Sequence, residues 1–224
     1  MTRLPKRLAV FDCDGTLVDG QADVCWAMER AFTRAGLEAP DNHAVRRIVG
    51  LSLPAAVRAL APALSEDENR AVTEFYRSSF RARREEGLLD EPLYEGIADL
   101  LRDLHAGGWQ LAVATGKSDR GLAACLAGHG IADLFISLQT ADRHPSKPHP
   151  AMLEAALFEA GAAREETVMI GDTSFDMVMA RSIGVAAIGV GWGYHGAAEL
   201  LASGAAQVVE TAAALAVALE ETLP

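Results

Sequence analysis

Leu8-Ala9-Val10-Phe11-Asp12-Cys13-Asp14-Gly15-Thr16-Leu17 begins as four consecutive apolar residues and closes at once on acids and a glycine. Such a run has the composition of a strand buried on both faces. Two carboxylates, two residues apart, follow where the chain leaves the sheet. In an open parallel sheet ligands bind outside the carboxyl ends of the strands, so Asp12 and Asp14 stand where a site belongs. The same letters also suit a plain turn, since Asp and Gly are turn residues. Strand alternation sends Cys13, between the two acids, into the core.

Outward from this segment, residues 110–114, 134–136, 167–170 and 186–190 read as further buried strands, with 208–209 as a short edge strand. Helical patterns at 96–106, 118–128, 150–160 and 174–183 lie between them, and Gly107, Gly130, Gly161 and Gly184 stand where helix stops belong. Strand and helix in alternation give an α/β protein, a doubly wound parallel sheet with helices on both faces. The Ala-rich segment 212–218 is a good helix former. Residues 20–91 break the alternation: 22–35, 43–48, 54–60 and 66–86 all read as helix, with no strand between. The expected organisation is a core of residues 1–19 and 92–224 with an inserted all-helical domain at 20–91.

Composition narrows the function. The chain has 224 residues, half of them hydrophobic, enough to bury a substantial core. Twenty basic residues stand against 31 acids, a net charge of −11, which argues against nucleic acid and against an anionic membrane surface as partners. Three cysteines without close spacing imply no disulfide framework and fit reduced thiols in a cytoplasmic protein. The basic start at residues 1–7 meets only four apolar residues before Asp12, too few for a signal peptide. The charge-free stretch 182–198 is broken by five glycines and makes a poor membrane span. Charge is uneven: the insert holds ten arginines and no lysine against twelve acids, a net of −2, and the rest carries −9. Arg81, Arg83 and Arg84, mixed with Glu85 and Glu86, read as a solvated helix face.

Three more strand ends carry chemistry. Gly171-Asp172-Thr173-Ser174-Phe175-Asp176 contains a capping box from Thr173 to Asp176, which accounts for Asp176 but not for Asp172. Asp12, Asp14 and Asp172 on one sheet edge are like charges that call for a cation, and Mg²⁺ is hard, oxygen-seeking and suited to carboxylates and phosphate. Thr115-Gly116-Lys117-Ser118 offers a hydroxyl, a glycine and free helix-start amides, an anion seat in which Ser118 caps the helix. In Ser146-Lys147-Pro148-His149-Pro150, Pro150 suits a first helical position and Pro148 keeps Lys147 extended, able to aim a compact charge into the site.

The order Asp-x-Asp-Gly-Thr, Thr-Gly, Lys-Pro, Gly-Asp-x-x-x-Asp, each at its own strand end, resembles the haloacid-dehalogenase-like (HAD) hydrolase superfamily over essentially the whole chain. The resemblance implies a Rossmann-like core in which the helical insert is a cap. Val49-Gly50-Leu51-Ser52 and Gly191-Trp192-Gly193-Tyr194 resemble the phosphoglycolate phosphatase branch. By this resemblance Asp12 is the nucleophile that forms an aspartyl-phosphate and Asp14 the general acid and base. Thr115 and the Gly116 amide hold phosphoryl oxygens, and Lys147 balances charge. Asp172 ligates Mg²⁺, together with Asp12 and the Asp14 backbone carbonyl, and Asp176 supports it. The partner is a small phosphorylated metabolite. Gly15, Gly20 and Gly87 are candidate hinges.

Within that resemblance, Asp14 sets the chain apart from the dehalogenase and phosphonate-cleaving branches, and the insert has no lysine for the latter's Schiff base. The sugar-phosphate mutase branch keeps both acids but usually has a basic residue soon after the cap's Gly-x-Ser, where this chain has Leu53. Arg46 or Arg47 could supply such a charge. A phospho-accepting receiver-type module or a silent binding protein on the same fold are the non-enzymatic readings. Cys25, Cys125, His149 and His195 are read without a catalytic or metal role.

Overall fold

The computed structural model describes residues 6–223; residues 1–5, most of the basic amino-terminal stretch, and Pro224 lie outside them. The chain runs β1 (Leu8–Phe11), α1 (Gln21–Arg34), α2 (Asn42–Arg47), α3 (Leu53–Leu60), α4 (Glu66–Glu85), α5 (Ile97–Ala106), β2 (Gln110–Thr115) and α6 (Asp119–Gly128). It continues through β3 (Phe135–Thr140), α7 (Ala151–Ala160), β4 (Thr167–Gly171), α8 (Ser174–Ser182), β5 (Ala186–Val190), α9 (Ala197–Ser203), β6 (Gln207–Val209) and α10 (Ala212–Thr222). The six strands form one parallel sheet in the order β3-β2-β1-β4-β5-β6. β1 pairs with β2 on one side and β4 on the other, so the strand order reverses beside it and a crevice opens at its carboxyl end.

Both sheet faces are covered, as the unbroken apolar composition of the strands requires. Phe11, Leu101, Leu111, Leu126 and Leu215 close one face under α5, α6 and α10, and Val10, Met152, Met169, Met177 and Leu200 close the other under α7, α8 and α9. The helices between β1 and α5 pack on one another around Met28, Val45, Val57 and Val72, a third apolar cluster apart from those two.

Two elements differ from the sequence reading. The third strand begins at Phe135, after a 3₁₀ turn at Ala132–Leu134, and extends to Thr140. Its second half, Ser137, Gln139 and Thr140, is polar yet buried. Gln139 donates to Ser137 (2.8 Å) and Thr140 to Asp119 (2.6 Å), so the polar atoms are paired and need no apolar signal. α9, which follows the glycine-broken stretch, also escaped the apolar pattern.

Two of the contacts between residues 20–91 and the sheet layers bear on the site. Its loop Val49–Ser52 lies over the carboxyl ends of the strands: Ser52 N donates to Ser146 Oγ (2.8 Å), and a Cβ on Gly116 would stand 2.5 Å from Leu51 O and 2.7 Å from Gly50 O. Glycine at 116 is therefore what lets two backbones meet. On the other side Arg47, at the end of α2, makes a two-pronged pair with Glu199 of α9 (2.5 and 2.7 Å). Buried His195 completes this junction. Its Nδ1 accepts from Ser174 N (3.0 Å), which leaves Nε2 to donate to Arg47 O (3.3 Å). Burial, then the Arg47 charge, hold His195 below its ordinary pKa.

The pair is partly exposed, so its net stability is small, about 0–1 kcal/mol. Glu199→Gln is expected to leave global unfolding in urea nearly unchanged while speeding amide exchange across α2. Unchanged exchange there would show that the junction does not restrain the insert.

Candidate active site

The ends of β1 and β4, with the Lys147 loop, converge on one buried charge cluster. Asp12, Lys147, Asp172 and Asp176 are all buried, Lys147 at 1% exposure. Lys147 Nζ lies 3.0 Å from Asp12 Oδ1 and 2.6 Å from Asp176 Oδ1. Asp12 Oδ1 also accepts from Cys13 N (2.6 Å), whereas its Oδ2 has no hydrogen-bond partner among the described residues. Asp172 Oδ1 accepts from Thr16 Oγ1 (2.8 Å) and Oδ2 from Tyr194 N (2.9 Å). Asp176 Oδ2 accepts from Thr173 N (3.2 Å) and Oγ1 (2.7 Å), the capping box read from sequence, while Oδ1 serves Lys147.

Close backbone approach makes this packing possible. A Cβ on Gly193 would collide with the Asp172 carboxylate, and one on Gly171 with that of Asp176. Gly15 has φ +85° and faces Asp172 and the Tyr194 ring. Tyr194 enters the site with a buried hydroxyl that has no partner.

Asp14 sits apart from that cluster and partly open. Its Oδ1 meets Lys117 Nζ at 2.6 Å, and Lys117 reaches Glu91 Oε1 at the same distance. Burial alone would pull the Lys117 ammonium down; Asp14 and Glu91 outweigh it and hold it well above the ordinary lysine range. Lys117 and Glu91 were not singled out from sequence, because a lysine beside a glycine at a helix start carries no motif of its own. Thr115 is buried at the end of β2, its Oγ1 accepting from Lys117 N (3.2 Å), and Ser118 caps α6 through Gly121 N. Cys13 points into the core, as alternation requires.

A cavity of about 610 Å³ lies between insert and core, with Asp12, Asp14, Thr115 and Gly116 in its floor. Here one sequence reading is corrected and another refined. Arg46 and Arg47 do not line this cavity: Arg47 is spent on Glu199, and Arg46 lies by a separate hollow beside Cys25 and Trp26. Arg81 is exposed and Arg84 half-buried, as a solvated face allows, and both also border this cavity with Arg77. Arg83, one residue away on the helix, turns instead to the buried carboxylate of Asp23.

Oxygens of Asp12, Asp172 and Asp176 lie within 4.8 Å of one another, a set that could hold a metal ion. One ammonium faces three buried carboxylates, and burial with the neighbouring acids pushes the Asp12 carboxyl up to about 7 and that of Asp172 well above its ordinary value. Excess negative charge and an all-oxygen donor set fit a hard divalent cation. His149, exposed, accepts from Ala151 N, and His195 is engaged at the insert junction.

The profile of the haloacid dehalogenase-like hydrolases matches residues 9–190. The chain belongs to that family. It is 36% identical over 210 residues to the probable phosphatase IndB of Dickeya dadantii, covering 92% of this chain and 90% of that one. A phosphoglycolate phosphatase of Vibrio vulnificus is 30% identical over 91% of both chains. The crystal structure of a predicted phosphatase from Clostridium acetobutylicum superposes with a TM-score of 0.87 over 97% of this chain and all of that one; at 24% identity this speaks for the fold alone. Among the described residues no helix is long and apolar enough to cross a membrane.

Protonated carboxylates do not ligate a cation; burial and the neighbouring acids raise Asp12 to about 7 and hold the Asp172 carboxyl well above its ordinary range, so both keep their protons to higher pH than a free carboxylate. The rise in thermal midpoint on adding Mg²⁺ is therefore expected to grow from about pH 5 to about pH 8, and to vanish in Asp172→Asn. An equal rise at both pH values would separate cation binding from these carboxylates.

Proposed function

We propose that this hydrolase is a phosphatase of small phosphate monoesters, resembling phosphoglycolate phosphatases, and that residues 20–91 work as a cap over the core on either side of them. The observation that carries the reading is Asp12: a buried carboxylate in the cavity floor, one oxygen held by Cys13 N and Lys147, the other without a partner. That second oxygen is the free nucleophile. It attacks phosphorus to give an aspartyl-phosphate and displaces the substrate's alkoxide. Asp14, oriented by Lys117, gives that leaving oxygen its proton and then takes one from the water that cleaves the acyl phosphate. Asp12 returns as a carboxylate with release of inorganic phosphate.

Phosphoryl transfer asks chiefly for positioning and charge stabilisation. The Thr115 hydroxyl and Gly116 amide receive the phosphoryl oxygens, and Lys147 offsets charge on Asp12 while keeping Asp176 in place. Mg²⁺ held by Asp12 and Asp172, with Asp176 in support and the Asp14 backbone carbonyl at its edge, would supply neutralisation of the phosphate. The insert loop over Gly116 limits water. No membrane or nucleic-acid partner enters this reading, and it suits a cytoplasmic enzyme.

With Mg²⁺ present, the protein is expected to release inorganic phosphate from p-nitrophenyl phosphate. Asp12→Asn should abolish turnover, and Asp14→Asn should lower kcat by about 10²–10⁴. Turnover that persists in folded Asp12→Asn would overturn the nucleophile. Transfer to a second hydroxyl of the substrate without phosphate release would point to the mutase alternative.

A further inference from the structure

The wall of the cavity carries information about what the phosphate is attached to. α4 presents to it Tyr76, Arg77, Phe80, Arg81 and Arg84, positions that share one helix face. Tyr76 and Phe80 stack at 5.3 Å between ring centroids, and Met28, Val49 and Leu53 extend the apolar surface. Beside the rings runs a row of guanidinium groups at i, i+4 and i+7. From Arg77 to Arg84 the row covers about 10 Å of helix. Its ends are loosely tied: Arg77 stands 4.0 Å from Asp142 and Arg84 3.9 Å from Glu91. Arg81, between them, makes no hydrogen bond or ion pair among the described residues. Across the cavity Arg120 likewise makes no hydrogen bond or ion pair among the described residues.

None of these arginines is needed for the phosphoryl group itself, which has Lys147, Thr115 and Gly116. A cavity of about 610 Å³ falls in the range that encloses drug-sized ligands, far more than a two-carbon phosphate fills. Arginine in such a wall suits a carboxylate or phosphate, which its planar fork binds through two parallel hydrogen bonds.

We propose that the substrate is a phosphomonoester with an apolar body larger than two carbons and a second anionic group at its far end, received by Arg77, Arg81 and Arg84, with Arg81 the principal contact. The proposal rests on the phosphatase reading but adds the substrate class and its specificity residues. The apolar body lies against Tyr76 and Phe80, which places the reacting phosphate over Asp12 and the second anion under the arginine row.

The test compares kcat/KM, with Mg²⁺, for 4-carboxyphenyl phosphate, its uncharged carboxamide, 1,4-phenylene bisphosphate and phosphoglycolate. The wild type should prefer one or both aryl substrates bearing a second anionic group to the carboxamide by about tenfold or more, as expected for charge-assisted hydrogen bonds. Their ranking tells a distal carboxylate from a distal phosphate. Phosphoglycolate should fall at least about tenfold below the better of them. In Arg81→Ala the preference should shrink to about twofold, and Arg81→Lys should restore part of it. Absence of a preference in the wild type, its survival in Arg81→Ala, or phosphoglycolate as the best of the four substrates would overturn the proposal. Calorimetric titration with 4-carboxyphenylphosphonate and phenylphosphonate separates this from failure of the phosphatase reading. Tighter binding of the former, lost in Arg81→Ala, would support the anion subsite even in a protein that turned nothing over, and equal binding of the two would overturn it.

Discussion

The ammonium of Lys147, sealed from solvent between Asp12 and Asp176, is the contact around which the carboxyl edge of the sheet is built. β1 and β4 run to their ends at this point and are followed by Asp12, Asp172 and Asp176, acids that would repel one another without a cation. Removing one member of a buried charged pair costs about 3–5 kcal/mol, because the remaining charge is stranded. The arrangement also shares out lone pairs. Asp176 has one oxygen on Lys147 and the other on the amide and hydroxyl of Thr173, so it is fully committed to structure. Asp12 is only half committed, since Cys13 and Lys147 occupy Oδ1 and leave Oδ2 open. A carboxylate fixed through one oxygen and free at the other is oriented without being quenched.

Asp172 shows how the same edge is joined to the insert. The loop after β5 brings Tyr194 N to its Oδ2 and the next residue, His195, to its backbone oxygen (3.2 Å). The His195 ring then spans Ser174 and Arg47, at the end of the second insert helix. From Asp172 to Arg47 the path is therefore two consecutive residues and one imidazole. On the opposite side the loop Val49–Ser52 rests on Gly116 and reaches Ser146, the residue before Lys147. A movement of the insert would pull directly on backbone next to the anion seat, the lysine loop and Asp172. On the proposed cap reading, opening for substrate would also disturb the charge cluster, as the gating of an active site commonly involves.

The fold and part of the charge cluster were legible in sequence because each depends on short-range signals; Asp14, grouped by the sheet-edge reading with Asp12 and Asp172, turns instead to Lys117, and Asp176 completes the cluster. Buried strands are apolar runs, their ends carry the acids, and Gly and Pro mark where backbone bends or approaches closely. Lys147 could be placed beside the cluster through the strand-end rule, although nothing local showed that it would be fully buried. What escaped depends on contacts between distant segments. The second half of β3 is polar because Ser137, Gln139 and Thr140 find partners in the fold. Lys117 gains meaning only when Glu91, 26 residues away, arrives beside it. The arginines of α4 are spaced like a solvated face, and a composition rule cannot tell Arg83, turned to Asp23, from Arg81, two residues earlier and bordering the cavity.

Those arginines also bear on a tension in the composition. A chain of net charge −11 repels an anionic phosphate ester at long range. At physiological ionic strength that repulsion is screened over about 8 Å, so acids on the outer surface are largely silent to a ligand at the cavity mouth. What the ligand meets there is the lining, where Arg77, Arg81, Arg84, Lys117 and Arg120 stand against Asp12, Asp14 and Asp142. Arg77, Arg81 and Asp142 are exposed there, but they lie nearer to a ligand in the cavity than the outer acids do and so are screened less. The sign of the field that guides substrate is set by an α4 face and a helix start, not by the sum over the chain. The arginine-only basic composition of the insert, inconspicuous as an average, thereby becomes a property of the site.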